Sequence, residues 1–305
     1  MNSSSNNTAH SVRTRLARIS AERGVDFQQV LTSYAIERLL FRLSVSRHAQ
    51  QFILKGATLF TLWEGFPHRQ TRDLDLLGFG EDTVERLEGL FREIISVVVP
   101  EDGLIFDSEV RGESIRTFQE YGGIRIHLLA RLEKARIVVG VDVGFGDRVI
   151  PLPKEVEFPT LLDLPRPKLR AYPVEAVVAE KLQALVSLGL ANSRMKDFFD
   201  LWHISRSMAF EGAELAAAVR GTFERRKTAI PSGAPLALTE VFATNSMKET
   251  QWLGFCRKTL GTMEHPRLGE VVSRLGEFLL PVLEAAKTDP TTLSRWPAGG
   301  PWETG

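Results

Sequence analysis

Apolar residues recur at intervals of three and four from residue 11 to about residue 46 and again over most of the chain after residue 173, which is the spacing of amphipathic helices. In the first stretch, from 11 to about 46, the pattern stops at Gly24 and resumes after Asp26. It therefore predicts two helices, with Asp26 as the N-cap of the second. Further helices are predicted at about 81–97, 174–190, 193–208, 211–226, 246–262 and 266–286.

Apart from the helix at 81–97, the pattern between residues 73 and 149 changes to short apolar runs and alternations, which are typical of strands. The segments are DLDLLGF, LIFDSEV, SIRTFQE, GIRIHLLARL and ARIVVGVDVGF. The last four are joined by short turns, so consecutive strands are expected to pair antiparallel. These patterns predict an α/β (α+β) fold, with strands concentrated in the N-terminal half and helices in the C-terminal half.

Proline and glycine mark the predicted borders of these regions. Five prolines between residues 150 and 172 indicate a connector at 151–172, between an N-terminal lobe at 11–150 and a helical lobe at 173–288. The polar start, residues 1–10, is predicted to be a disordered tail. The Pro- and Gly-rich end, residues 289–305, is predicted to be a flexible tail.

The composition is that of a globular protein without a dominant electrostatic field. The chain has 38 basic and 38 acidic residues, so net charge predicts no polyanion partner, and RNA binding would need a local basic patch. The single cysteine, Cys256, cannot form an internal disulfide, which favours a cytoplasmic protein. No run is apolar enough to span a membrane, and no secretory signal is apparent. The candidate basic runs, whose usual role is a solvated face, are Arg166, Lys168, Arg170, Arg225, Arg226 and Lys227.

The segment FILKGATLFTLWEGFPHRQTRDLDLLGFG has the layout of a site for a metal-bound nucleotide. Asp73 and Asp75 are two residues apart, so both carboxylates project from one strand face if the leucines beside them are buried. Neighbouring negative charges repel, and Mg²⁺ held between carboxylate and phosphate oxygens would relieve that repulsion. Gly56 would let the backbone approach phosphates at the start of an apolar helix. The alternative is that the aspartates cap a turn.

Two further charged residues fall where the pattern predicts burial. Asp142 interrupts the apolar strand ARIVVGVDVGF, and burying an unpaired carboxylate costs on the order of several kcal/mol. Its partner is either an arginine or turn amide, or the metal inferred at Asp73 and Asp75. Lys181 lies in the apolar stripe of a helix, where its ammonium either reaches out to solvent or points inward at phosphate oxygens or a carboxylate. Asp147, after two glycines, is predicted to be a turn residue.

Arg194, Asp197 and Asp200 recur at threefold spacing on the helix at 193–208. They either form an exposed ion-pair network or, because a short turn joins this helix to the preceding one, bring Asp197 and Lys181 to one cleft. No histidine has a second ligand at metal spacing and no base lies near the cysteine in sequence. Neither zinc nor a thiol nucleophile is therefore predicted.

In their order and spacing, the motifs LKGATLF, RQTRDLDLLGFG, QEYGGIRI, VDVGFGD, AEKLQAL and NSRMKDFFDLW resemble a known family. It is that of the AbiEii/AbiGii-type nucleotidyltransferase toxins of bacterial abortive-infection and type IV toxin–antitoxin modules, which include the MenT-like toxins. The resemblance implies a nucleotidyltransferase-like lobe with a mixed sheet and a helical C-terminal lobe. It also implies a cognate antitoxin and transfer of a nucleoside monophosphate from an NTP to an acceptor, in MenT-like members the 3′ end of tRNA.

Carried over by motif, the resemblance assigns roles to individual residues. Asp73, Asp75 and Asp142 would bind Mg²⁺ as the catalytic carboxylates. Lys181 would be the phosphate-binding lysine, and Asp197 the acid of the final motif.

The resemblance also implies a phosphate cradle built by Lys55, Gly56, Ala57 and Thr58, with Arg72 steadying the triphosphate. The wider superfamily has Ser or Gly at the position of Ala57. The loss of a hydroxyl there leaves Thr58 as the side chain that could make this phosphate contact.

The predicted reaction is in-line attack of an acceptor 3′-hydroxyl on the α-phosphate, with pyrophosphate leaving. Modification of the acceptor end of tRNA would then stop translation. Two alternatives keep the same site. One is a phosphotransferase or an enzyme that nucleotidylates protein hydroxyls, and the other is a module that binds NTP and metal without turnover.

Overall fold

The computed structural model describes residues 3–65, 69, 71, 73–115, 122–260, 265–289, 291 and 293–303. The chain divides into two compact units. Unit 1 consists of Met1–Asp147 and Lys154–Tyr172, and unit 2 consists of Arg148–Pro153 and Pro173–Gly305.

Unit 1 contains four α-helices and eight strands among its described residues. The helices are α1 (Ser3–Arg23), α2 (Phe27–Val45), α3 (Leu59–Glu64) and α4 (Val84–Ile95). Asp26 accepts the backbone N–H of Gln29 at 3.1 Å, which confirms its predicted place as the N-cap of α2. The strands are β1 (Phe52–Lys55), β2 (Asp73–Gly78), β3 (Ile105–Phe106), β4 (Arg111–Ile115), β5 (Gly123–Leu132), β6 (Ala135–Phe145), β7 (Lys154–Glu157) and β8 (Lys168–Ala171).

The described strands of unit 1 form one mixed sheet in the order β3-β5-β6-β2-β1-β8-β7, with β4 also paired to β5. β5 and β6 form the expected antiparallel hairpin, and β4 is antiparallel to β5. β3 pairs with β5 and not with β4, which differs from the expectation for consecutive strands. β2 lies between β1, which is antiparallel to it, and β6, which is parallel. The mixed α/β fold predicted for this lobe is therefore confirmed.

One face of the central strands is apolar and forms the core of unit 1. Leu74 and Leu76 of β2 and Val141 and Val143 of β6 are completely buried. Because side chains alternate along a strand, the residues between these leucines and valines project from the opposite face. Burial of these leucines and valines therefore fixes which residues of β2 and β6 lie on the opposite, polar face.

Helix α2 carries charged groups into the core of unit 1. Arg42 donates to both oxygens of Asp102, at 2.6 and 3.2 Å, and the Tyr34 hydroxyl donates to the Asp102 carbonyl at 2.7 Å. Glu37, which is adjacent to Arg38, accepts the backbone N–H of Leu161 at 2.7 Å. These contacts join α2 to segments about 60 and 124 residues away in sequence.

The ends of unit 1 differ from the prediction. Helix α1 begins at Ser3, and Ala9 is buried, where the sequence predicts a disordered tail over 1–10. The predicted connector at 151–172 contains β7 and β8, and β8 pairs with β1 through Ala171 and Leu54. The alternation in KLRA, with Leu169 and Ala171 buried, is too short to stand out among the prolines.

The described part of unit 2 is mainly helical, as predicted. Its helices are α5 (Val174–Leu188), α6 (Met195–Ser207), α7 (Gly212–Arg225), α8 (Glu240–Ala243), α9 (Ser246–Thr259) and α10 (Leu268–Lys287). Only the one-turn α8 lacks a counterpart among the predicted helices. A two-stranded ladder joins β9 (Phe210–Glu211) to β10 (Arg295–Trp296).

The predicted flexible tail at 289–305 is largely packed against unit 2. Trp296 is completely buried, and its indole donates to the Ser205 carbonyl at 2.8 Å. The indole of Trp302 donates to the Phe278 carbonyl at 3.0 Å. Two tryptophans bury a large apolar area while pairing their N–H groups, which outweighs the turn-forming composition around them.

Within the described ranges, no helix combines the length and the apolar composition needed to cross a bilayer.

The buried Glu37 predicts a pH dependence of stability. Burial raises its pKa to about 7, against the hydrogen bond from Leu161 and the charge of Arg38, which lower it. Because the folded pKa lies above the unfolded value, the stability from the bound proton is present below the unfolded pKa and is lost as pH rises through about 7. Between pH 5 and 8, wild type should lose up to about 3 kcal/mol of unfolding free energy relative to Glu37→Gln.

Urea unfolding at several pH values measures this difference. Glu85→Gln, at an exposed position on α4, should follow the wild-type pH profile and serves as the matched control. Identical pH profiles for wild type and Glu37→Gln would contradict the expected titration.

Candidate functional site

The predicted acidic residues of unit 1 lie on one face of two neighbouring strands. β2 and β6 run parallel, with Asp75 opposite Asp142 and Asp73 opposite Gly140. Residues opposite each other in a ladder project from the same side of the sheet. The structure therefore brings the three carboxylates together on the face opposite the apolar core.

Arg125 supplies positive charge to this face. It lies opposite Asp142 on β5, and its Nε and Nη2 donate to Asp142 Oδ1 and Oδ2 at 2.6 and 2.7 Å. Its Nη2 also lies 3.7 Å from Asp73 Oδ2. The hydrogen bonding to Asp142 raises the pKa of the Arg125 guanidinium above its usual range. The arginine partner, one of the two alternatives for Asp142, is therefore present.

The backbone at Gly56 makes a close approach to the same face. Gly56 has φ +73°, a conformation that L side chains rarely adopt, and a Cβ built on it would lie 2.0 Å from Asp75 Oδ2. Only a glycine fits beside this carboxylate. On β6, a Cβ on Gly140 would likewise lie 2.5 Å from Asp73 Oδ1. Glycines on both sides therefore leave room around the two aspartates.

The other residues of the predicted phosphate cradle follow from β1. Lys55 lies opposite Asp75 in the β1–β2 ladder, and its Nζ is 2.9 Å from Asp147 Oδ2. Asp147 is thus an ion-pair partner and not merely a turn residue. Ala57 and Thr58 are buried, and no described residue is hydrogen-bonded to the buried hydroxyl of Thr58. A buried hydroxyl without a partner is costly, which fits a group that bonds to a ligand.

Unit 2 contains a second ionic cluster, between α5 and α6. Lys181 Nζ donates to Asp197 Oδ1 at 2.7 Å and to Asp200 Oδ2 at 2.8 Å. Both aspartate side chains are 0% exposed and that of Lys181 is 13% exposed. Lys181 therefore points inward at carboxylates, and these residues do not form an exposed ion-pair network.

Arg194 completes this cluster from the rim. Its Nε lies 2.7 Å from Asp197 Oδ2. Burial by itself would raise the pKa of Asp197, but the charges of Lys181 and Arg194 outweigh burial and hold the pKa below its usual value. Asp197 is therefore an anion that pairs with Lys181 and holds its side chain in place.

The basic runs are only partly available for binding. Lys168 lies 3.1 Å from Glu157, and Arg170 donates to the Gln50 carbonyl. Arg226 lies 3.2 Å from Glu180, and because both side chains are largely buried this pair is structural. These contacts favour structural roles for several of the basic residues.

The predicted site residues thus fall into two groups, each held together within its own unit. Unit 1 contains the carboxylates and the residues of the predicted cradle, and unit 2 contains Lys181 and Asp197. Arg72 lies outside the described residues. The sequence reasoning missed Arg125, although the β5–β6 hairpin could have indicated it. Leu132 pairs with Ala135 at the turn, and counting back along both strands places Arg125 opposite Asp142.

The donor atoms on the unit 1 face fit a hard divalent cation. As the side chains stand, no group of three or more His, Cys, Asp or Glu residues within the described ranges is arranged to hold a metal ion. Asp142 gives both oxygens to Arg125. The available ligands are nevertheless carboxylates with glycines beside them, and the guanidinium shows that this face accommodates a cation. Asp73, Asp75 and Asp142 are the residues that would hold Mg²⁺.

Known proteins share sequence or structural similarity with this chain. The family model of the AbiEii nucleotidyl transferase toxins of type IV toxin–antitoxin systems matches residues 38–274. No curated protein matches the sequence significantly. The solved structure of JHP933 from Helicobacter pylori is 15% identical over 84% of this chain and 93% of that chain, with a TM-score of 0.49. A candidate nucleotidyltransferase from H. pylori is 15% identical over 84% of this chain and 96% of that chain, with a TM-score of 0.50. At this identity, the second likeness shows a shared fold.

The close approach at Gly56 predicts that Gly56→Ala disrupts the carboxylate face. A left-handed alanine costs about 1–2 kcal/mol wherever it occurs, but at Gly56 the methyl group must also displace Asp75. Binding of Mn²⁺, measured by titration calorimetry, should therefore be lost and thermal stability should fall. Gly24→Ala is the matched control, because Gly24 has φ +62° with no atom within 4 Å of the added Cβ. Equal effects of the two substitutions on Mn²⁺ binding would contradict this assignment.

The buried ion pairs in unit 2 predict that Lys181→Met destabilises the protein. Removing one partner of a buried pair typically costs about 3–5 kcal/mol, since the remaining charge is left without compensation. Adding Asp200→Asn to Lys181→Met should restore part of the loss, because one uncompensated charge is removed. Chemical unfolding measures both effects, and the exposed Lys196→Met serves as the control. Equal stability of Lys181→Met and Lys196→Met would show that the buried pairs contribute little.

Proposed function

Since the chain belongs to the family of AbiEii nucleotidyl transferase toxins of type IV toxin–antitoxin systems, we propose that it transfers a nucleoside monophosphate from an NTP to the 3′ end of an RNA acceptor, with tRNA as the acceptor. The protein is a nucleotidyltransferase by family, and the acceptor and the metal are the proposed parts. The observation that supports the metal is the set of carboxylates on β2 and β6, and the RNA acceptor is carried over from the resemblance to the MenT-like toxins. Such a face serves polyphosphate chemistry, which needs cations held beside the reacting phosphate.

Asp73, Asp75 and Asp142 are proposed to hold Mg²⁺, which when bound supplies positive charge for the phosphates. The one-turn 3-10 helix Gly56–Thr58 beside them is proposed to receive the phosphates. Gly56 leaves the backbone open next to Asp75, and the Thr58 hydroxyl has no partner among the described residues. Because Ala57 has no hydroxyl, Thr58 is proposed to make the side-chain contact to a phosphate oxygen. Lys55 and Arg72 are proposed to contribute positive charge to the same phosphates.

In the proposed reaction, the 3′-hydroxyl oxygen of the acceptor bonds to the α-phosphorus. The bond from that phosphorus to the oxygen shared with the β-phosphate breaks, and pyrophosphate leaves. One of the aspartates on the β2–β6 face accepts the proton of the attacking hydroxyl, which is ordinary general-base chemistry for a carboxylate.

Lys181 is proposed to offset negative charge on the phosphates. Asp197 and Asp200 hold its ammonium in place through contacts at 2.7 and 2.8 Å. In this proposal Asp197 acts on the lysine and not on the substrate, because its side chain is fully buried. Asp197 is therefore a positioning residue.

Untemplated nucleotides on tRNA 3′ ends would prevent aminoacylation or use of the tRNA, so translation would stop. That outcome accounts for a toxin encoded with an antitoxin, which the family implies as a partner.

Labelling with each α-labelled NTP in the presence of total RNA and total protein tests the proposed reaction. RNA should carry the label at its 3′ end, and sequencing of cellular RNA 3′ ends after induced expression should show added nucleotides on tRNA. Asp75→Asn keeps the shape of the side chain but should lower labelling by more than about a hundredfold, since even groups that only support metal ligands contribute roughly 10- to 100-fold.

Asp107→Asn is the matched control. Asp107 is also an aspartate held by an arginine on β5, with Arg131 donating at 2.8 and 2.7 Å, but it lies outside the proposed site. Its labelling should equal that of wild type. Label on protein instead of RNA would show that the acceptor is a protein hydroxyl. Label on neither RNA nor protein would contradict the proposed reaction.

A further inference from the structure

The carboxylate face already contains a cation that belongs to the protein. The Arg125 guanidinium donates to both oxygens of Asp142 and lies 3.7 Å from Asp73. Two of the three proposed metal ligands are therefore in contact with Arg125. We propose that Arg125 is an internal substitute for the divalent cation, which holds these carboxylates before metal binds and is displaced when it does. This inference rests on the proposed function, because that function assigns the metal to this face.

Displacement follows from charge and space. A magnesium ion bonds to oxygen at about 2.0–2.1 Å, and the guanidinium nitrogens already lie 2.6 and 2.7 Å from the two oxygens of Asp142. A divalent cation on those oxygens would thus lie within a few ångströms of a guanidinium of the same sign. Two cations so close together repel, and a partly buried setting screens that repulsion less than bulk water does. The two cations therefore compete for Asp142.

An alternative partner for the Arg125 guanidinium lies on the same face of the sheet. Its side chain is 34% exposed, so the guanidinium is not locked in the core. Glu113 lies directly opposite it on β4, on the same face of the sheet. The Glu113 carboxylate is 63% exposed and at present pairs with His127 at 2.9 Å. A released guanidinium therefore finds a second carboxylate, or the phosphates of an incoming nucleotide, without any change in the strands.

The same strand provides a matched comparison. Arg131 lies six residues after Arg125 on β5, hence on the same face, and holds Asp107 through two hydrogen bonds of 2.8 and 2.7 Å. The two pairs have the same chemistry and similar lengths. Only Arg125 also contacts an aspartate of the proposed metal site. An effect special to Arg125 can therefore be separated from the loss of any arginine on this strand.

The decisive measurement is the affinity of the nucleotide-free protein for Mn²⁺, followed by electron paramagnetic resonance or calorimetry. If the guanidinium must leave before metal binds, the apparent affinity of wild type is reduced by the fraction of open site. Arg125→Met should therefore bind Mn²⁺ at least about tenfold more tightly than wild type, the factor expected from losing one charge-assisted interaction. Arg131→Met should bind Mn²⁺ as wild type does. Equal or weaker binding by Arg125→Met overturns the proposal.

A second measurement uses the unmodified protein and does not depend on how the variants fold. The Nε–H groups of Arg125 and Arg131 both donate to aspartates. Their resonances can be followed by nitrogen NMR during a titration with diamagnetic Mg²⁺. The Arg125 resonance should shift or broaden as its pair with Asp142 opens, while that of Arg131 stays in place. A saturating Mg²⁺ titration that leaves the Arg125 resonance unchanged overturns displacement.

The variant Asp75→Asn distinguishes a failure of the Arg125 inference from a failure of the proposed metal site. If wild type binds Mn²⁺ and Asp75→Asn does not, the metal site stands, and the Arg125 results alone decide the inference. If neither wild type nor Arg125→Met binds Mn²⁺, the assignment of metal to this face is wrong, and displacement falls with it.

Discussion

The crowding of like charge on two neighbouring strands is the constraint on which the rest of the site depends. Asp73, Asp75 and Asp142 share one face because β2 and β6 are parallel and in a fixed register. Carboxylates so close together repel unless a cation is present. Arg125 provides one from the next strand, and the lack of side chains at Gly56 and Gly140 provides the space. The apolar face behind these strands makes the arrangement rigid, because a register slip would bury the aspartates and expose the leucines.

Part of the arrangement of charged residues on this face could be predicted from sequence. The contacts that could not be predicted join strands that are far apart in the chain. The period of two in DLDLL places Asp73 and Asp75 on one face without any knowledge of the fold. The neighbour of Asp75 on the adjacent strand is Asp142, 67 residues later, and a parallel pairing over that distance leaves no local pattern. Arg125 is the intermediate case. A hairpin with its turn at residues 133–134 fixes Arg125 opposite Asp142, so the information was present in the sequence.

Burial was harder to predict than contact. The short link between α5 and α6 indicated that Lys181 and Asp197 could meet, and they do, at 2.7 Å. Threefold spacing of charges on a helix usually indicates a solvent-exposed face, yet the carboxylates of Asp197 and Asp200 are completely buried. Helix propensity and periodicity describe one helix at a time, whereas burial depends on which other helices cover it. The same limit explains Trp296, whose surroundings in sequence are typical of a loop but which is packed in the core of unit 2.

Each unit therefore pairs some of its carboxylates with its own cations. In unit 1 the guanidinium of Arg125 pairs with Asp142 and lies near Asp73. In unit 2 Lys181 and Arg194 pair with Asp197. This pairing lowers the repulsion among the carboxylates before metal or nucleotide binds, while the unit 1 face still sets three carboxylates against one guanidinium. Under the proposed displacement of Arg125, metal binding at the unit 1 face is an exchange of cations, so its free energy is the difference between two electrostatic terms and not the whole of either. The two clusters differ in that respect. In unit 1, Arg125 and Asp142 are partly exposed, so another cation can replace the guanidinium. In unit 2, Asp197 and Asp200 are completely buried and cannot release Lys181 without leaving charge in the core.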